Sequence, residues 1–208
     1  MASVKQDGNL KPVRDFNTRK LVLLALLTAI VVVLQTLATV LPIFPFTLTL
    51  VLVPMVIGSA LISTLAGGWL GLVFGIVVLA TGNANVFLAL NPAATIFVVM
   101  LKGILAGLAS GVAYKLLANK NRTAAVLTAA VVCPVVNTGI FILGSYVFFL
   151  PYIMSFADYF GYNNETAIIF LGFVGFNFPM ELCINIILSP VIVRLIQYGS
   201  DRGGQRSA

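Results

Sequence analysis

Apolar residues run through this chain in long blocks, and the residues that interrupt them are Pro, Gly and Asn rather than charges. From Leu21 to Leu101 no residue is charged, whereas one bilayer-spanning helix needs about 20 residues. Several spans must therefore follow one another directly. The breaks predict six helices, at about 19–40, 47–63, 66–81, 92–118, 123–149 and 167–197. The expected fold is an all-α integral membrane protein with six transmembrane helices, and an even number of spans places both termini on one side. It divides into an N-terminal arm at 1–18, a membrane domain at 19–198 and a polar tail at 199–208.

Composition supports this class and charge orients it. The 208 residues are 60% hydrophobic and 9% charged, with a mean hydropathy of +1.08, far beyond what a soluble domain needs to fill its core. A net charge of +6 would suit nucleic acid, but the cations are not arranged as one surface. They cluster before the first span (Lys5, Lys11, Arg14, Arg19, Lys20), in one short connection (Lys115, Lys120, Arg122) and at the end (Arg194, Arg202, Arg206). This is the positive-inside pattern, so both termini are expected in the cytoplasm of a multi-pass membrane protein. The apolar run that begins at Leu21 exceeds a signal-peptide core and reads as a retained first span.

Three longer connections then face outward: 41–46 (LPIFPF), 81–91 (TGNANVFLALN) and 150–165 (LPYIMSFADYFGYNNE). Ligand chemistry is expected there rather than at the short inner turns. Gly67, Gly71 and Gly75 in the third helix and Gly103, Gly107 and Gly111 in the fourth recur every four residues. They are expected to pack helices inside the molecule.

Polar side chains inside the spans are few. Lys102 lies about ten residues into the fourth helix, roughly 15 Å below its outer end. An ionisable group at that depth marks a functional site. Asn177, Glu181 and Asn185 form one stripe of the sixth helix, and Gln35 and Asn137 reach the outer half from the first and fifth. Asn83, Asn85 and Asn91 enrich the third connection in amides. One cation among several amides suits a small anion that also carries hydroxyl or amide groups. The alternative is that Lys102 and Glu181 form a structural ion pair.

Catalytic sets are missing. The chain has no His, its two cysteines (Cys133, Cys183) show no CxxC spacing, and no GxxxxGK[ST] loop occurs. Metal chemistry, a disulfide framework, a Ser or Cys nucleophile with its base, and a nucleotide site are unsupported.

Within this layout the first span carries Ala25-xxx-Ala29 directly after Arg19-Lys20. Together with chain length, six spans and elaborate outer connections, this resembles the substrate-binding (S) component of an energy-coupling factor (ECF) vitamin transporter. The stretch FPFTLTLVLVPMVIGSALISTLAGGWLGLVFG, followed by NPAATIFVVMLKGILAGLASG, is similar to the pantothenate-specific members. The resemblance implies a vitamin-binding subunit that is not itself an enzyme. Ala25 and Ala29 would dock on a transmembrane coupling protein, two ABC ATPases would complete the complex, and ATP and Mg²⁺ would be bound by those partners alone. For pantothenate, Lys102 would pair with the carboxylate, while Asn83, Asn85, Asn91, Asn137 and Asn177 would offer hydrogen bonds near Glu181. Folate or riboflavin remain alternatives, because Phe87, Tyr146, Tyr152, Tyr159 and Tyr162 supply aromatic rings, though such residues are expected mostly as interfacial anchors. Ala109/Ala113 and Ala125/Ala129 repeat the small-residue spacing elsewhere.

Overall fold

A computed structural model describes residues 18–40, 50–153, 164, 166, 169, 174–175 and 177–204, with side chains through Arg194. The helices are α1 (Thr18–Val40), α2 (Leu52–Leu61), α3 (Thr64–Ala80), α4 (Asn85–Leu90), α5 (Pro92–Ala118), α6 (Arg122–Gly144) and α7 (Asn177–Gly204). A π-helical turn at Ser145–Phe149 carries α6 onward to Ile153. No strand occurs among the described residues.

Four of these stretches, Thr18–Val40, Pro92–Ala118, Arg122–Ile153 and Asn177–Arg194, are long and apolar enough to cross a membrane. Two of the expected spans are shorter: α2 has 10 residues and α3 has 17. Ser63 separates them, in an extended conformation (φ −175°, ψ 163°), and its Oγ accepts the Ala66 N–H at 3.1 Å. That hydrogen bond caps α3 and prevents the two from merging. Asn91 and Asn121 cap α5 and α6 in the same manner, each with its side-chain oxygen on an early N–H of the helix.

The last predicted helix, from 167 to 197, is divided differently. Gly175 has φ +37°, which breaks the run, and α7 begins at Asn177. Its backbone then stays helical to Gly204, into the expected polar tail. The third connection is also not an open loop, since α4 occupies most of it. The connection at 41–46, most of the one at 150–165 and the residues of the N-terminal arm before Thr18 lie outside the described residues.

The centre of the bundle is the α3–α5 seam. A Cβ built on Gly71 would collide with the Gly103 carbonyl, and one on Gly103 with the Gly71 carbonyl. Gly67 and Gly107 repeat the reciprocal contact, and the Ser59 Oγ donates to the Gly107 carbonyl at 3.0 Å. The two backbones touch, as expected for glycine ridges in lipid. Around the seam pack Val31, Leu52, Met55, Val56, Leu70, Phe74 and Val126. α1 sits at the periphery, with 17% of its most apolar window buried against 44% for α5. It runs parallel to α3, joined by Trp69 Nε1 to Thr28 Oγ1 (3.3 Å) midway along α1 and by Thr39 Oγ1 to Thr81 Oγ1 (3.2 Å) near its end. The chain direction places Arg19, Lys20, Lys115, Lys120, Arg122 and Arg194 at one end of the bundle and α4 at the other.

Candidate functional site

At the α4 end, α1, α3, α4, α5, α6, α7 and the turn before α4 line a half-open cavity of about 200 Å³. This is below the roughly 300–1,000 Å³ of pockets for drug-sized ligands and fits a small solute. Its wall mixes five phenylalanines with a small set of polar groups.

Lys102 supplies the cation. The glycine seam sets α5 directly against α3, so the Lys102 stem passes Phe74, and its Nζ lies 5.8 Å from the Phe74 ring centroid and 5.4 Å from that of Phe141. Both distances fall within cation–π range, which offsets part of the cost of holding an ammonium in an apolar wall. Glu181, buried on α7, also lines the cavity and interacts coulombically with Lys102.

The amides supply acceptors. Gln35 from α1, Asn137 from α6 and Asn177 from α7 all reach the cavity. The Oε1 of Gln35 and the Oδ1 atoms of Asn137 and Asn177 are buried without a hydrogen-bond partner among the described residues. Each such orphaned acceptor costs about 1–3 kcal/mol. All three residues line one void, where an amide can hydrogen-bond a hydroxyl or amide group of a solute.

Of the seven residues expected at a binding site, five line this cavity: Lys102, Asn83, Asn137, Asn177 and Glu181. Asn85 and Asn91 do not. Asn91 Oδ1 is engaged as the cap of α5, 3.1 Å from the Ala94 N–H, and Asn85 opens α4 with its side chain exposed beside Gly82. Asn-rich composition drew attention to the segment but could not separate a capping amide from one that lines the void. Asn185, third in the α7 stripe, is also outside: its Nδ2 donates to the Glu181 carbonyl at 2.8 Å.

Other lining residues were missed. Thr95 stands seven residues before Lys102 on the same α5 face, a signal that helical periodicity contains. Its Oγ1 donates to the Asn91 carbonyl at 2.8 Å. Thr138 follows Asn137. Phe149 owes its position to the π-helical turn, which advances the register of α6 at Ser145–Phe149 and has no sequence signature. Phe87, expected as an interfacial anchor, instead packs edge-on against Phe141 (5.5 Å, 89°) and Phe149 (5.1 Å, 71°) and lines the cavity from α4. Tyr152 is exposed, as is the Tyr146 hydroxyl contact with Thr166 Oγ1 at 3.0 Å, while Tyr159 and Tyr162 lie outside the described residues.

On a different side of α1 from Gln35, Ala25 and Ala29 are exposed. The other alanine pairs differ: Ala125 and Ala129 are completely buried, and Ala113 nearly so.

Against known proteins, residues 19–193 match the family model described as "ECF transporter, substrate-specific component". No curated protein matches the chain, and no solved structure does.

Proposed function

The chain belongs to the ECF transporter substrate-specific component family, and we propose that within it this member captures pantothenate for delivery to a coupling protein and two ATPases. As a family member it is a membrane-embedded substrate-binding subunit rather than an enzyme. The pantothenate assignment rests on one observation: the same small cavity is lined by one cation, Lys102, and by three amide residues, Gln35, Asn137 and Asn177, whose oxygens have no hydrogen-bond partner among the described residues. A ligand with a carboxylate at one end and hydroxyl and amide groups at the other suits this lining. Lys102 takes the carboxylate in competition with Glu181, and the amides of Gln35, Asn137 and Asn177 hydrogen-bond the hydroxyl and amide groups. Asn83 and Phe87 lie over the void from the turn before α4 and from α4 itself. The basic end of the bundle faces the cytoplasm and the cavity faces outward.

The exposed Ala25/Ala29 face of α1 is the docking surface for the coupling protein. Nothing in the chain itself covers those alanines among the described residues, whereas the chain's other small-residue stripes pack inside it. ATP and Mg²⁺ belong to the partners.

A second reading, a structural Lys102–Glu181 pair without solute, is favoured by their coulombic interaction. Calorimetric titration of the purified protein with pantothenate, folate, riboflavin, biotin, niacin and thiamine separates the two. Pantothenate alone is expected to bind, and Lys102→Ala is expected to weaken it by about 2–3 kcal/mol, the range for a desolvated charged hydrogen bond. Binding of a different vitamin removes the pantothenate assignment. Absence of any binding to folded protein favours the structural pair.

A further inference from the structure

Gln35 is the one cavity-lining residue contributed by α1, the same helix that exposes Ala25 and Ala29 on another side. Its side chain is 1% exposed, and its Oε1 has no partner among the described residues. We propose that Gln35 couples solute occupancy to the presentation of the exposed Ala25/Ala29 face of α1. This rests on the transporter reading above and adds to it the residue through which the bound solute controls docking.

The physical basis is the weak attachment of α1. Leu27, Val31 and Gln35 are the buried residues of this helix, spaced four apart on one stripe, and most of the remaining surface is exposed. Among the described residues, side-chain hydrogen bonds join it to α3 at Trp69 to Thr28, midway along it, and at Thr39 to Thr81, near its end. Thr39 has a single hydroxyl proton with two acceptors in range, the Gln35 carbonyl at 3.0 Å and Thr81 Oγ1 at 3.2 Å. The second tether is thus shared with the turn of α1 that bears Gln35.

In an apolar surrounding an amide whose oxygen has no partner gains strongly from a group that turns toward it and hydrogen-bonds it. A solute hydroxyl or amide group on the Gln35 amide adds a further tether to α1, between Thr28 and Thr39. Occupancy then fixes the rotation and tilt of a peripheral helix, and the Ala25/Ala29 face moves with it as part of the same rigid element. A ligand shifts a conformational equilibrium only by its differential contact with the two states, and the Gln35 amide is that contact.

The test uses Gln35→Met, which keeps side-chain length and removes the acceptor. Spin labels on Val22→Cys and Leu116→Cys, both exposed at the basic end, report the position of α1 against α5 in a Cys183→Ser background that leaves only the buried Cys133. With Gln35 present, saturating pantothenate is expected to narrow the label–label distance distribution. In Gln35→Met, pantothenate affinity should fall about tenfold, near the upper range for one hydrogen bond, and the narrowing should vanish even when concentration is raised to refill the site. The variant without pantothenate should melt at or above the temperature of the parent, because an unmatched buried acceptor has been removed. The proposal is overturned by undiminished narrowing in Gln35→Met, or by a lowered melting temperature, which makes Gln35 a packing residue. If the parent binds pantothenate with no narrowing, the coupling fails while the pantothenate assignment stands; if the parent binds no pantothenate, that assignment and the coupling through this solute fall together, and the family membership stands.

Discussion

The glycine seam between α3 and α5 and the alanine face of α1 use the same device, small residues four apart, at opposite positions in the bundle. Along the seam, Gly71 and Gly103 bring carbonyl and Cα into direct contact, and no space remains for a Cβ. On α1, Ala25 and Ala29 form an equally low ridge with nothing from the described chain against it. Close approach of backbones is what small residues provide in lipid, where apolar burial alone gives helices no reason to pair. The seam spends that property on the fold; the α1 face holds it available for another helix. The difference teaches that a small-xxx-small spacing identifies a surface for helix contact and says nothing about whose helix makes it.

The largest effect that sharpens this contrast is expected from Gly71→Leu. Its side chain must enter the Gly103 backbone, which cannot move aside as a flexible side chain does, so destabilisation should exceed the usual 1–3 kcal/mol of overpacking. Loss of monodisperse protein in size-exclusion chromatography would show it; a normally folded Gly71→Leu would disprove the seam as described. Next is the same substitution at the same spacing in two places. Ala129→Trp, at a completely buried site, should destabilise by several kcal/mol, whereas Ala29→Trp should leave the melting temperature and pantothenate affinity within about 0.5 kcal/mol of the parent. Ala29→Trp should nevertheless abolish co-purification with the coupling protein, and an intact complex would break the comparison outright. The smallest effect belongs to Ser59→Ala, which removes the hydroxyl bond onto the Gly107 carbonyl. That should cost about 1 kcal/mol in thermal unfolding without changing solute affinity.

A parallel contrast holds among the amides. Asn91 and Asn137 look alike in the sequence, yet Asn91 caps α5 while Asn137 leaves its oxygen unpartnered at the cavity. Asn91 was expected to bind solute, although Asn followed by Pro at the start of an apolar run is a local helix-start signal that points to a cap. The role of Asn137 required knowing which face of α6 turns toward α5 and α7. Likewise Lys102 stood out as a cation in an uncharged run, but its seat between Phe74 and Phe141 depends on how closely the glycines draw α3 and α5 together.

The sequence by itself determined the apolar helices, the end of the bundle that carries the cations and the small set of polar residues admitted to its interior. These follow from interactions between residues close along the chain, or from the cost of placing a charge in lipid, and both are written in local composition. Only the tertiary structure decided that five of seven expected polar residues share one cavity, that Gly175 starts α7 at Asn177, and that a π-helical turn brings Phe149 to the wall. It also decided that Ala29 is exposed while Ala129 is buried. Those outcomes depend on the rotation of each helix about its axis, which is set by contacts between segments distant in sequence and by backbone approach that glycine permits without specifying its partner.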